Sequence, residues 1–377
     1  MKRWLILFAA LLLPWAAVAT CSDCPGSAGY VVITVDAAQV EEATAYAPFY
    51  LSDMPGDFHS AMDAVSDTTG ESIRVTTADG STECAIWVVD VDTGTDTGMV
   101  IFETIGLSAS VNTDYRVYAG NASATMYAAT DTYGQYNVFP SSVTMFYPLC
   151  GANPLNNAAQ NAYHLSVSGS PTTSSGSPTE GAESYIFSGS GQYLYAGTPP
   201  MIDWPVSISG WFNSDSATLA QTIAALADTG QSDNYAVLEL AGTTGGDPVR
   251  FRAYGDGGSE RIAASSTGYS ADTWMFAQGG FDNANVTARI SGANTGTNTS
   301  APVSADFNTI SIAVARRSSL TNYFDGELSL IEYSNVARSA NYSLTMYHAF
   351  NSGTTFYTAG SWNAAGGGST TGSFFFG

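Results

Sequence analysis

Along most of the chain, apolar residues recur at every second position in short runs. Gly, Asp, Asn, Ser and Thr separate the runs. That period puts alternate side chains on opposite faces, which marks half-buried strands rather than helices. In the first third the runs predict strands at 30–35, 47–51, 72–76, 84–89, 99–103 and 115–118. Turn chemistry falls at Asp79-Gly80 and Gly120-Asn121. Beyond residue 200, strands are predicted at 206–212, 236–240, 249–253, 274–277, 286–290 and 310–314. Many short strands with little helical periodicity predict an all-β chain of two antiparallel β-sandwiches.

The stretch from Phe324 to Ser339 departs from simple alternation. Asp325-Gly326 is a turn, and the strand after it is apolar on both faces. Leu328, Leu330 and Glu332 should point one way, Ser329, Ile331 and Tyr333 the other. Ser339 is placed to cap a short helix over 340–350. Residues 171–181 are rich in Ser, Thr, Gly and Pro and read as a surface loop. After Gly360 the composition predicts a flexible Gly-rich tail, 360–377, ending in Phe374, Phe375 and Phe376.

Met1-Lys2-Arg3, an apolar run to Leu13 and Ala17-Val18-Ala19 have the layout of a signal peptide over 1–19. The run is too short to span a bilayer. Export makes the four cysteines disulfide candidates. Three connectivities are open; Cys21–Cys24 with Cys84–Cys150 is the expected one. The formal net charge is −22, and the only lysine is Lys2. Such an acidic chain repels phosphate backbones, which excludes sequence-independent nucleic-acid binding. Once the leader is removed no lysine remains for Schiff-base chemistry.

Two resemblances emerge from ordered motifs. Tyr185-Ile-Phe-Ser-Gly-Ser-Gly191-Gln-Tyr193-Leu, Val206-Ser-Ile-Ser-Gly-Trp211-Phe and Phe324-Asp-Gly with Asn335-Val-Ala-Arg-Ser339 resemble a laminin-G-like domain of the concanavalin A-like lectin/glucanase superfamily. The resemblance implies that 143–359 is a jelly roll. Gly70-Glu-Ser-Ile-Arg74 with Asp79-Gly80-Ser-Thr-Glu83, then Tyr115-Arg-Val-Tyr118-Ala-Gly-Asn121, resemble a bacterial domain family of unknown function. That family accompanies laminin-G-like domains in exported bacterial and phage-associated proteins, and here it would cover 28–140.

The superfamily's glucanases place paired carboxylates on one strand. Glu327 and Glu332 have the outer spacing of that pattern, but Ser329 stands where the middle Asp belongs. An unbulged strand would point the two glutamates to opposite faces. The resemblance also implies calcium in a loop, with Asn157, Asn161 and Asp325 as metal ligands. Trp211 reads as core, and Tyr193, Tyr195, Tyr254 and Tyr269 as loop-near aromatics. His59, His164 and His348 are too scattered for a metal set. The expectation is an exported, non-catalytic recognition protein, secreted or on a cell surface or virion, that binds glycan or another surface ligand. A structural protein of an assembly, with homo-oligomer contacts through the tail, and a glycoside hydrolase are the alternatives.

Overall fold

The computed structural model describes residues 21, 23–160, 162–179, 183–292, 295–299, 304–316, 320–351 and 356–365. The leader, Asn161 and the three terminal phenylalanines lie outside them. The alternating pattern folds as two antiparallel β-sandwiches, the second a concanavalin A-like jelly roll.

In the first sandwich a five-stranded sheet faces a three-stranded one. The larger sheet runs Tyr357–Ala364, Gly29–Val35, Thr113–Ala119, Arg74–Thr77 and Glu83–Cys84; the smaller runs Tyr46–Tyr50, Thr97–Glu103 and Ile86–Asp92. Val31, Ile33, Val117, Phe49 and Phe102 fill the space between them. The side chain of Arg74 is 1% exposed. Its guanidinium donates to Asp23 at 2.7 Å and to the carbonyls of Glu71, Ile73 and Thr125, and it lies over the Tyr127 ring. The arginine of the sequence motif therefore staples the segment at Asp23 to the sheet.

The strand Tyr357–Ala364 corrects the expected domain boundary. Residues 360–364 are not a free tail but part of an antiparallel partner for the opening strand, from Gly29 opposite Ala364 to Val35 opposite Tyr357. Trp362 packs edge-on against Phe58, and the Tyr357 hydroxyl accepts from the Tyr50 N–H at 2.7 Å. The last described strand thus belongs to the first sandwich.

The jelly roll pairs an eight-stranded with a seven-stranded sheet. The first contains Val206–Ser214, Met275–Phe281 and the long strand Asp325–Ser334; the second contains Ala220–Ala227, Tyr235–Ala241, Pro248–Tyr254, Thr309–Ile312 and Tyr193–Ala196. Thr172–Ser174, in the expected loop, adds an edge strand beside Ser184–Ser188. Ser339 caps the helix Ala340–Phe350 as expected, its hydroxyl accepting from the Tyr342 N–H at 2.9 Å.

Asp325–Ser334 carries a bulge. Its register against Val206–Ser214 slips between Ser209 and Trp211, and Leu330 takes φ 53°. The extra residue changes the expected facing. Leu328, Ile331 and Tyr333 enter the jelly-roll core, whereas Leu330 joins the first sandwich's core. Trp211 is buried as expected, but under the helix and against the first sandwich rather than between the jelly-roll sheets. It stacks on Tyr347 at 5.6 Å. The helix and the outer face of the eight-stranded sheet therefore join the first sandwich's core, while the jelly roll keeps a core of its own.

Cys21 and Cys24 form a disulfide. The expected Cys84–Cys150 bridge is absent: both are buried free thiols. Cys84 sits on the edge strand Glu83–Cys84 of the larger sheet and Cys150 on the junction, and clamping there is done by packing. Burial pushes each thiol up to about 12, so neither supplies thiolate near neutral pH. The expected result is that iodoacetamide labels neither cysteine in the folded protein and both after unfolding without reductant. A non-reduced peptide map joining Cys84 to Cys150 would contradict this.

Candidate functional site

The structure does not bring the three expected metal ligands together. Asn157 is 1% exposed and spends its side chain on its own loop. Its Oδ1 accepts from the N–H of Phe146 and of Ala159, and its Nδ2 donates to the carbonyls of Thr144 and Ala162. No lone pair is left facing a cation. Asn161 lies outside the described residues. Asp325 is at the far end of its strand: Phe146, beside Asn157, pairs with Glu332, and seven residues of strand put Asp325 roughly 20 Å away. Among the described residues no three His, Cys, Asp or Glu side chains are gathered to hold a metal ion.

What Asp325 does share is an acidic rim. Partial burial, and then the negative neighbours Asp325, Asp272 and Glu327, push the carboxyl of Asp215 up. Asp325 is fixed by backbone: its N–H donates to Gln221 Oε1 at 2.8 Å and its carbonyl accepts from the Asp215 N–H. Gly326 holds φ 126° with no space for a side chain, since a Cβ would sit 2.2 Å from the Asn213 carbonyl oxygen. Glu327 accepts from the Ser174 hydroxyl at 2.8 Å.

An aromatic array lies on the seven-stranded sheet. Tyr193 and Tyr195 alternate with buried Leu194 and Ala196, so both rings stand on the outer face of their strand. Their centroids are 5.7 Å apart, and Tyr323, two residues before Asp325, lies 6.3 Å from Tyr193. All three are half-buried. Of the other expected tyrosines, Tyr269 is buried and donates to the Ser216 carbonyl, and Tyr254 packs against Tyr235 on a strand.

The glutamates of the glucanase-like spacing do not make a pair. The bulge turns both to the side away from the jelly-roll core, yet five residues of strand keep them roughly 15 Å apart. Retaining enzymes need about 5–5.5 Å and inverting ones about 6.5–9.5 Å. Glu332 is also sealed in the junction, where it accepts from the hydroxyls of Tyr46, Ser334 and Tyr342 and from Arg338. A different pair, Glu239 and Glu260, is bridged by Arg252 on the outer face of the seven-stranded sheet. Burial raises the Glu239 carboxyl, and Arg252 opposes the rise. The guanidinium also receives support from Tyr235, an arrangement that pins adjacent strands. The histidines are separate too: His59 meets Asp96, His164 accepts from the Asn157 N–H, and His348 contacts the Gln39 carbonyl.

Residues 188–342 match a family model described as the Concanavalin A-like lectin/glucanases superfamily. The match includes the tyrosine array, the acidic rim and the bulged strand. Domain 4 of AbnA, a GH43 extracellular arabinanase from Geobacillus stearothermophilus in complex with arabinotriose, is 13% identical over 55% of this chain and 98% of that one, with a TM-score of 0.45. The Ruminococcus gnavus IT-sialidase CBM40 bound to alpha2,3 sialyllactose is 10% identical over 43% and 94%, with a TM-score of 0.35. A native heptameric SAP-like pentraxin from Limulus polyphemus is 10% identical over 42% and 78%, also at 0.35. Among curated proteins none matches the sequence.

Proposed function

We propose that this is an exported, non-catalytic recognition protein whose jelly roll binds glycan on a surface. The observation that carries the reading is the array of Tyr193, Tyr195 and Tyr323, the last of them two residues before Asp325 in the chain. Rigid rings give apolar area for the C–H face of a sugar at little entropic cost. The tyrosine hydroxyls can donate to and accept from its hydroxyls. The superfamily match over 188–342 supports the same reading. The first sandwich, with its resemblance to the bacterial family of unknown function, serves as a fixed platform.

A glycan array should give a positive set with the purified protein. Tyr193→Ala and Tyr195→Ala should each weaken that binding about tenfold, or ~1.4 kcal/mol, with no release of reducing sugar from the bound glycan. A silent array removes the proposal; turnover that Glu239→Gln abolishes replaces it with a hydrolase.

Calcium belongs to the proposal only as a counter-ion for the acidic rim, since the carboxylates there are not gathered into a chelate. Its addition should raise the melting temperature no more than the same concentration of magnesium does. A calcium-specific rise would reveal a true site, because the two ions differ in the coordination they demand.

A further inference from the structure

A second site lies at the junction of the two sandwiches. Two adjoining cavities of about 130 and 190 Å³ share Trp87, Val88, Gln135 and Asn153 in their walls. Together they reach the lower end of the size range of small-molecule sites, about 300 Å³. Trp87 comes from the first-sandwich strand Ile86–Asp92, and Gln135 and Tyr136 from the short turn Gln135–Asn137. Asn153 and Asn156 come from the loop that leaves the jelly-roll strand Val143–Tyr147.

That loop is held rigid from both sides. Asn157 ties it to Phe146 and Thr144, as described, and the Asn156 N–H donates to the Asn153 carbonyl at 3.1 Å. Gly151, at φ 70°, lies so close to the first sandwich that a Cβ would meet the Val89 carbonyl oxygen at 2.5 Å. Only glycine fits that approach, so the groove is built by the contact between the two sandwiches.

Its chemistry is distinctive within this molecule. The chain has 33 acidic residues, yet no residue lining either cavity carries a charged side chain. Trp87 is half-buried, with one side packed on Phe139 and Phe146. Among the described residues its indole N–H, the Tyr136 hydroxyl and the carboxamides of Asn153 and Asn156 have no hydrogen-bond partner. Gln135 commits one N–H to the Ala158 carbonyl at 3.3 Å, leaving its oxygen. An aromatic surface ringed by unpaired amide and hydroxyl groups offers donors and acceptors in alternation and no charge.

We propose that this groove binds a neutral oligosaccharide. Anionic sugars find no cation in it and are repelled by a chain of net charge −22. Cationic ligands find no carboxylate there to compensate lost hydration. An uncharged polyhydroxylated ring matches both the apolar floor and the amide rim. The proposal deepens the glycan-recognition reading and rests on it, but places a binding site on residues outside the family match.

Calorimetric titration of the full chain with neutral gluco-, xylo-, arabino- and galacto-oligosaccharides, and with sialyllactose and oligogalacturonate as charged probes, tests it. At least one neutral probe should bind. The double variant Asn153→Ala/Asn156→Ala should bind it at least tenfold more weakly; both side chains are exposed, so the variant will fold. Trp87→Ala should abolish binding, with the asparagine pair standing as the test if it misfolds. Neutral binding that survives the asparagine changes but is lost in Tyr193→Ala/Tyr195→Ala overturns the groove and leaves the jelly-roll reading intact. Binding confined to the charged probes also overturns the groove alone, and binding of no probe overturns both.

Discussion

Replacing Glu332 by Ala is expected to destabilise the protein by about 3–5 kcal/mol, the usual cost of removing one partner from a buried charged pair. Glu332 is 3% exposed. It receives the Tyr46 hydroxyl from the first sandwich, the Tyr342 hydroxyl at 2.9 Å from the helix, and Arg338 at 3.4 Å. The Arg338 side chain is only 12% exposed, and its guanidinium lies over the Tyr342 ring. Burial, then Glu332, push the Tyr46 hydroxyl well above its ordinary range, so it stays a donor. Without the carboxylate, Arg338 would be left charged and unpaired in the junction while both tyrosines lose their acceptor. Glu332→Gln keeps the shape and an oxygen, and should cost less. Urea unfolding of the two variants measures the difference; equal and small losses would show that the junction does not depend on the charge.

The second large effect should come from deleting residues 356–377. This removes the strand beside Gly29–Val35 together with Phe356, Tyr357 and Trp362, of which the first two are buried and the third packs on the core. At roughly 1.5–3 kcal/mol per large apolar side chain, the loss is on the order of 5 kcal/mol before the strand's hydrogen bonds are counted. It should fall on the first sandwich. A shortened protein should unfold in two steps, or show rapid amide exchange at 29–35 while the jelly-roll strands stay protected. Protection at 29–35 equal to that of the full chain would contradict the role assigned to the last strand.

The second-sandwich strands and the capped helix were legible because apolar alternation and Ser339 are local signals. What escaped was decided by partners far along the chain. Tyr357–Ala364 is mostly exposed and rich in Thr, Ala, Gly and Ser, so no apolar run betrays it. The bulge at Leu330 has no turn residue to announce it, yet it sends Leu330 and Glu332 into the junction. The helix Gly56–Ala64 is short, and Phe58, Ala61 and Met62 are its only buried apolar residues. The cysteine bridge failed because spacing says nothing about which face each thiol occupies. At the candidate site, Tyr193 and Tyr195 could be picked out, but not Tyr323 beside them. The asparagines of the groove read as an ordinary loop until Trp87 is seen behind them.

The pairing of Gly29–Val35 with Tyr357–Ala364 also sets the order in which the molecule can be made. Asn363 meets Tyr30 across 333 residues of chain. A ribosome adding about 5–20 residues per second supplies the closing strand roughly 20–60 s after the opening one. The jelly roll, whose described strands all lie between Val143 and Ser334, can complete itself in that interval; the first sandwich must wait with one sheet edge open. Distant pairings of this kind are slow to close. The strand Gly29–Val35, made before the jelly roll, is therefore finished after it, and its open edge is the place where a holdase would act.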